Sequence, residues 1–374
     1  MRKTSLALTL AVCTVLTACE AEELLEPVGS ANAVVVPANE TGSQVTVLSR
    51  NIYLGFDIDQ LLAGLMPMDE ALTRLQATDF PARAAALAAE IQAAAPALIG
   101  LQEVINYRMQ DPGDFLSTGV PNAETPMIPF LYILQQALAA YGLDYEVAVE
   151  HPTTDVEVPF QTGPSSYIDI RYTDSDVILV RSDVEVVDVT TQLYDDMLTF
   201  DLGGLPGSRP LSFVAVEAVV DDAPLLFVST HLETQNYPAI QEAQTRQLIK
   251  WTQKQKLPIV MVGDFNSAAN VGAPADRYTR TYDMLLKYGS FEDLWVTTHG
   301  DAAGLTCCYE PNLLSATPGF DQRIDLILMD KVAARMVSDV DLSIVGIDAF
   351  QSEQPRWASD HAGLVATLTF APKK

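Results

Sequence analysis

Positive charge is what this chain has least of. Only 22 Lys and Arg stand against 49 Asp and Glu in 374 residues, a net charge of −27. Nonspecific affinity for nucleic acid draws most of its free energy from basic surface, so a nucleic-acid partner is not favoured by charge. A nuclease with one local basic groove is not thereby excluded. Histidine is also scarce, with four residues: His151, His231, His299 and His361. Cysteine is confined to Cys13, Cys19 and the adjacent pair Cys307-Cys308. In an oxidising compartment the pair could close a vicinal disulfide, or it could remain two small buried thiols. No His or Cys lies near the pair at ligand spacing, so metal binding there is not expected. Beyond the N-terminus no stretch reaches the ~18 apolar residues of a membrane-spanning helix.

What is present is a globular composition, 48% hydrophobic and 19% charged. The length suits one large domain or two ordinary ones. At the start, Arg2-Lys3 precedes an apolar run from Leu6 to Leu16, the layout of an export signal too short to span a bilayer. The run ends Leu16-Thr17-Ala18-Cys19, which resembles the bacterial lipoprotein signal, cleaved before the cysteine and lipidated on it. The expected organisation is therefore a leader (1–18), a tether from lipidated Cys19 (19–44), and one domain (45–374). The mature protein would be an exported monomer held to a bacterial membrane through Cys19, in the periplasm or at the cell surface.

The centre of the chain is Leu257-Pro-Ile-Val-Met-Val-Gly-Asp-Phe-Asn-Ser267. Five apolar residues rich in β-branching run into Asp264 and Asn266, a buried strand delivering a carboxylate and an amide to a sheet end. Both groups are costly to bury unpaired. An Asx-turn would account for this stretch alone, but the arrangement recurs. Val45 to Asn51 ends on an amide, Ala97 to Glu103 on a carboxylate, and Pro224 to His231 on an imidazole. Asp325 opens the run Leu326 to Met329, and Asp360-His361 precedes a last strand from Gly363 to Phe370. Six strand ends with polar side chains imply one converging site.

The set Asn51, Leu101-Gln-Glu-Val104, Thr230-His-Leu-Glu233, Gly263-Asp-Phe-Asn-Ser267, Arg323-Ile-Asp325 and Ser359-Asp-His361 resembles the endonuclease/exonuclease/phosphatase superfamily, in the family's order. That superfamily includes DNase I-like nucleases, inositol-polyphosphate 5-phosphatases and bacterial sphingomyelinases. The resemblance implies a four-layer α/β/β/α sandwich of two mixed sheets. It also implies a phosphate-ester substrate, most readily a phosphodiester, with Mg²⁺, or Mn²⁺ in its place, held by Glu103 with help from Asp360. In the family's roles His361 is the general base and Asp325 orients it. Asp264 and Asn266 contact the attacking water and the phosphate, and His231 stabilises the phosphorane or protonates the leaving group. Asn51 holds the phosphate and Asp264. Asp176 stands where many relatives carry Asn, and Arg171 is a candidate phosphate contact. An anchored nuclease is the nearest alternative, and a phospho-ligand-binding lipoprotein without turnover is the alternative of another class.

The remaining sequence predicts helices over Pro81–Ala95, Phe130–Tyr141, Ala239–Lys254 and Tyr282–Tyr288. A hairpin is expected to turn at Asp221-Asp222, and another within residues 168–181. Residues 106–129, rich in Pro and Gly, read as a long loop at the site mouth and residues 151–166 as a second Pro-rich loop, both candidates for substrate selection. His299 reads as a surface residue.

Overall fold

Strand alternation decides every layer of the molecule. The computed structural model describes residues 42–371 apart from 202–203, 271, 316, 318 and 351–355. The leader, Cys19 and nearly all of the tether lie outside the described residues. In chain order the strands are β1 (Gln44–Asn51), β2 (Leu98–Gln102), β3 (Asn106–Gln110), β4 (Thr125–Pro129), β5 (Tyr145–Gly163), β6 (Ser166–Arg181), β7 (Glu185–Leu193) and β8 (Leu198–Asp201). They continue with β9 (Pro206–Arg209), β10 (Ser212–Val220), β11 (Ala223–His231), β12 (Ile259–Asp264), β13 (Phe291–Asp293), β14 (Asp325–Asp330), β15 (Val337–Val345) and β16 (Gly363–Phe370).

One mixed sheet runs β15-β16-β1-β2-β6-β3-β4, with β5 on the free side of β6. The second runs β13-β14-β12-β11-β10-β7. Val45 and Val47 of β1, Leu98 of β2, Val260 and Val262 of β12, and Ile327 of β14 share one fully buried cluster between the sheets. Their strand neighbours face outward. Leu48, Ile99 and Leu101 pack on the helices Phe80–Ala94 and Phe130–Ala140, and Met261, Leu326 and Leu328 pack near Leu248 and Ile249 of the Pro238–Thr252 helix. The period of two thus produces helix, sheet, sheet, helix, the four-layer sandwich expected. The sheets approach so closely at Gly100 that an added Cβ would lie 2.6 Å from Val262 Cγ2 and 2.7 Å from Ser229 Oγ, so no side chain fits there.

The Asp221-Asp222 hairpin turn forms as expected, with both residues at positive φ (46° and 65°). Three readings are corrected. Residues 166–181 are one continuous strand rather than a hairpin, because β6 pairs with β5 along its whole length while β2 and β3 share its other side. Residues 151–163 belong to β5, and residues 106–129 contain β3 and β4 rather than a loop at the site mouth. Proline misled in both places. Pro152 falls at a register shift in β5, and Pro126 and Pro129 lie in β4, which ends the sheet. Edge strands and bulges are where a missing N–H is tolerated.

Two buried arginines fix the backbone that carries the site. Arg83, from the Phe80–Ala94 helix, donates to the carbonyls of Ile52 (2.7 Å), Ala358 (3.1 Å) and Tyr53 (3.1 Å). Burial lowers its pKa to about 10, still charged at neutral pH. Arg50 of β1 pairs with Glu90 at 3.0 Å and donates to the carbonyl of His361.

Candidate active site

Register puts the chemistry in one row. His231 at the end of β11 pairs with Asp264 at the end of parallel β12, which pairs with Asp325 at the start of antiparallel β14. Across the cleft, Asn51 of β1 pairs with Gln102 of β2, so Glu103 follows directly beside it. Strands stop here in unusual conformations: Tyr53, Glu103 and Asn266 all have φ between 50° and 61°. Each costs on the order of 1 kcal/mol or more for a residue with a Cβ, and such strain clusters at sites where it aims a side chain.

His361 Nδ1 lies 2.9 Å from Asp325 Oδ2, a hydrogen bond that leaves Nε2 free. Nε2 faces Asp264 Oδ2 at 3.7 Å and Asp360 Oδ1 at 4.0 Å. Burial alone would lower the pKa of His361, but Asp325, Asp264 and Asp360 outweigh it and hold it well above the usual imidazole range. Asp264, Asp325 and His361 also bring ligand atoms within 4.8 Å of one another. We read these three as a proton-sharing group because the 2.9 Å contact is already a hydrogen bond.

Asn51 links the two sides. Its Nδ2 donates to Glu103 Oε1 at 2.9 Å and to Asp264 Oδ2 at 3.1 Å, while its Oδ1 accepts from Tyr53 N–H. Glu103 Oε2 accepts from Leu54 N–H at 2.7 Å. Asn266 donates through Nδ2 to the Leu232 carbonyl at 3.0 Å and lies 3.2 Å from His231 Nε2. With the amide as donor, Nε2 of His231 accepts and its ring proton sits on Nδ1. Burial, then Arg209 and His361, lower the pKa of His231 to about 3, so the ring is neutral.

The cleft offers oxygen donors of the type a hard divalent cation takes. Glu103, Asp174 and Asp360 all line the cleft, and Asp174 Oδ1 is buried without a hydrogen-bond partner. Burial first, then the charge of Glu103 among others, raises Asp174 to about 8. Burial also raises Asp360 to about 7, with Glu103 adding to it against His361. Carboxylates crowded until they resist ionisation are what a cation with oxygen ligands relieves.

The structure thus gathers Asn51, Glu103, His231, Asp264, Asn266, Asp325, Asp360 and His361. Asp176 is buried behind the cleft and bonded to Ser212 Oγ. Arg171 is not brought in: it pairs with Asp155 at 2.6 Å and Glu124 at 2.7 Å on the outer part of β6. Asp174 was missed by sequence reasoning, although alternation along β6 places it on the same face as Asp176. Arg209, Arg277 and Tyr53, which also line the cleft, carried no motif. His299 is exposed, as expected, and stacks on Trp295.

A carboxylate-backed histidine facing a second carboxylate, at the rim of a four-layer sandwich, defines the class: hydrolases of phosphate esters with the DNase I-like fold. The chain belongs to the endonuclease/exonuclease/phosphatase family, whose sequence profile matches residues 51–361, and enzymes of that family generally use divalent metals. No match was found among curated protein sequences. Solved structures share the fold. A family protein from Bacteroides thetaiotaomicron is 16% identical with a TM-score of 0.54, covering 88% of this chain and 99% of its own. A family protein from Beutenbergia cavernae is 19% identical with a TM-score of 0.54, covering 88% and 72%. A mannosyl-6-phosphatase from Bacteroides thetaiotaomicron is 16% identical with a TM-score of 0.51, covering 87% and 100%.

Proposed function

We propose that the chain is a Mg²⁺-dependent phosphodiesterase, anchored outside the cytoplasm, that hydrolyses a phosphodiester carrying an apolar group. The observation that carries the reaction is the Asp325–His361 pair, whose free Nε2 stands 3.7 Å from Asp264 Oδ2. A water hydrogen-bonded to both atoms would sit on the cleft side of this gap, where in-line attack on a phosphate needs its nucleophile. His361 takes the proton of that water, and Asp325 fixes the ring and stabilises the imidazolium. Asp264, pinned by Asn51, orients the water, and Asn266 gives its two amide hydrogens to the Leu232 carbonyl and to His231, keeping that imidazole in its Nδ1-protonated form. Neutral His231 holds the Asn266 amide in place. Glu103, Asp360 and Asp174 would hold Mg²⁺ or Mn²⁺, which when bound supplies charge neutralisation at the phosphate and the leaving oxygen. With those carboxylates neutralised, less negative charge faces His361 and its ring is freer to accept a proton.

The surroundings bear on the substrate. Asp57, Asp59, Glu310 and Asp321 line the same cleft, and Arg209, one of its two lining arginines, is already committed to Glu233 and Asp59. Such a wall disfavours a long polyanion. Beside it opens a narrow apolar recess of about 70 Å³, lined by Leu61, Leu72, Val156, Phe160, Ile170 and Phe200. Phe56, Ile58, Tyr172 and Arg209 border both spaces. A phosphate in the cleft therefore has an apolar neighbour site within reach, which supports an amphiphilic ester such as a phospholipid headgroup linkage.

The test is hydrolysis of plasmid DNA, RNA, sphingomyelin, phosphatidylcholine and inositol phosphates, with Mg²⁺ or EDTA. We expect EDTA-sensitive cleavage of a phospholipid, and Glu103→Gln to lose the Mg²⁺-dependent rate with the fold intact. Cleavage confined to nucleic acid would overturn the substrate, and unaltered Mg²⁺ dependence in the variant would remove Glu103 as a ligand. No helix among the described residues is long and apolar enough to cross a membrane. Attachment is proposed to run through Cys19, so Cys19→Ser should move the protein from the membrane to the soluble fraction of expressing cells. Retention in the membrane fraction would place the anchor elsewhere.

A further inference from the structure

Cys307 and Cys308, adjacent in sequence and without a neighbouring ligand there, are joined as a vicinal disulfide on the wall of the catalytic cleft. Their segment lies between the two stretches that carry the catalytic pair. Cys307 bridges Gln322 on one side and His361 on the other. Tyr309 N–H donates to the Asp360 carbonyl at 2.8 Å, and Ala362 N–H to the Thr306 carbonyl at 2.7 Å. Thr306 Oγ1 accepts from the N–H groups of Ile324 and Asp325, both at 3.2 Å. Folding therefore supplies what the sequence lacked. Cys307, Cys308 and His361 offer ligand atoms that all lie within 4.8 Å of one another. Gln322, 3% exposed, points Nε2 at both sulfurs from 3.9 Å and leaves its Oε1 buried without a partner.

The histidine is already prepared as a ligand. A metal-binding imidazole usually donates its other ring N–H to a carboxylate, which fixes the tautomer and aims the free nitrogen. Asp325 does this for His361. Two thiolates and one imidazole, with a fourth position open to the cleft, are the donor types that zinc-like cations select over oxygen-only sites. Bonded to each other, the sulfurs cannot serve. Parted toward the ~3.8 Å edge of a tetrahedron with bonds of about 2.3 Å, they can.

We propose that Cys307, Cys308 and His361 form a redox-gated site for a thiophilic divalent cation, closed by the disulfide and opened by reduction, whose occupation takes His361 out of the reaction. Reduction by a dithiol transfers two electrons and two protons. The Cys307–Cys308 bond breaks, two thiols form on this chain, and the dithiol closes its own disulfide. Cation binding then releases the thiol protons. The site adjoins the oxygen-donor set at Glu103, Asp174 and Asp360, since His361 Nε2 lies 4.0 Å from Asp360 Oδ1, but it draws on sulfur and imidazole instead of carboxylates. Only the blocking of turnover rests on the hydrolase reading; binding does not.

The test is Cd²⁺ titration of the full chain, oxidised or reduced by a dithiol that is then removed anaerobically, followed by the ultraviolet sulfur-to-cadmium band. The reduced protein should show the band with one Cd²⁺ and the oxidised protein should not. Cys308→Ser should lose it. Outer-sphere partners of a bound metal are worth roughly 10–100-fold in affinity, so His361→Ala, which removes a direct ligand, should weaken binding at least ~10-fold. No band after reduction overturns the site. A band unchanged in Cys308→Ser would assign it to Cys13 and Cys19 instead, and wild-type affinity in His361→Ala would remove the link to catalysis. Inhibition by Cd²⁺, measured against each protein's own rate, reports the blocking. If no substrate is turned over, the band still decides the site.

Discussion

Replacing His361 with alanine should slow phosphodiester hydrolysis by about 10²–10⁴-fold at saturating substrate, the usual worth of a positioned general base. That is roughly 2.7–5.5 kcal/mol of barrier. The ring is 5% exposed, carries one hydrogen bond to Asp325 and presents its other nitrogen to the cleft. Its removal should fall mainly on kcat, because the imidazole acts on the water and makes no ground-state contact with the ester. Asp325→Asn should cost a comparable amount. The amide can offer its NH₂ group to Nδ1 and so favour the tautomer with the proton on Nε2, where a base cannot carry one. A His361→Ala protein within threefold of the parental kcat would transfer the base to Asp264.

The second large effect is on stability. Arg209 ties three segments around the cleft: its guanidinium pairs with the carboxylate of Glu233, which is 0% exposed, and with Asp59 at 3.2 Å. Burial pulls the pKa of Arg209 down, yet Glu233 and Asp59 outweigh it and keep the group charged. Arg209→Met would leave Glu233 as a buried carboxylate facing no cation, a change that costs about 3–5 kcal/mol. Replacing both partners by apolar residues of similar volume is often close to neutral, so Arg209→Met/Glu233→Met should recover most of the loss. Urea unfolding of the parental, single and double variants decides it. A single variant as stable as the parent, or a double variant less stable than the single, would show that the pair does not stabilise the fold. Because Arg209 also borders the apolar recess, the double variant additionally separates stability from substrate binding.

The sequence by itself determined the layers and most of the site. Apolar runs that end on Asn51, Glu103, His231 and Asp264 are legible because a buried strand rarely stops on a polar group without a partner. Alternation then dictates which residues meet the other sheet and which meet a helix. Proline in β4 and β5 hid two strands, since sequence does not show that a strand is at an edge. The tertiary structure alone decided the rest. The pairing of His361 with Asp325 over 36 positions, and of Arg209 with Glu233 over 24, depends on strand order and register. So does the meeting of Asp174 with Glu103. Arg171 illustrates the converse: a cation on the correct strand was claimed by Asp155 and Glu124. The Cys307-Cys308 pair had no ligand in its own neighbourhood of the sequence, and folding placed His361 beside it. Proximity between residues far apart in the chain is a property of the sheet's topology, and no local pattern encodes it.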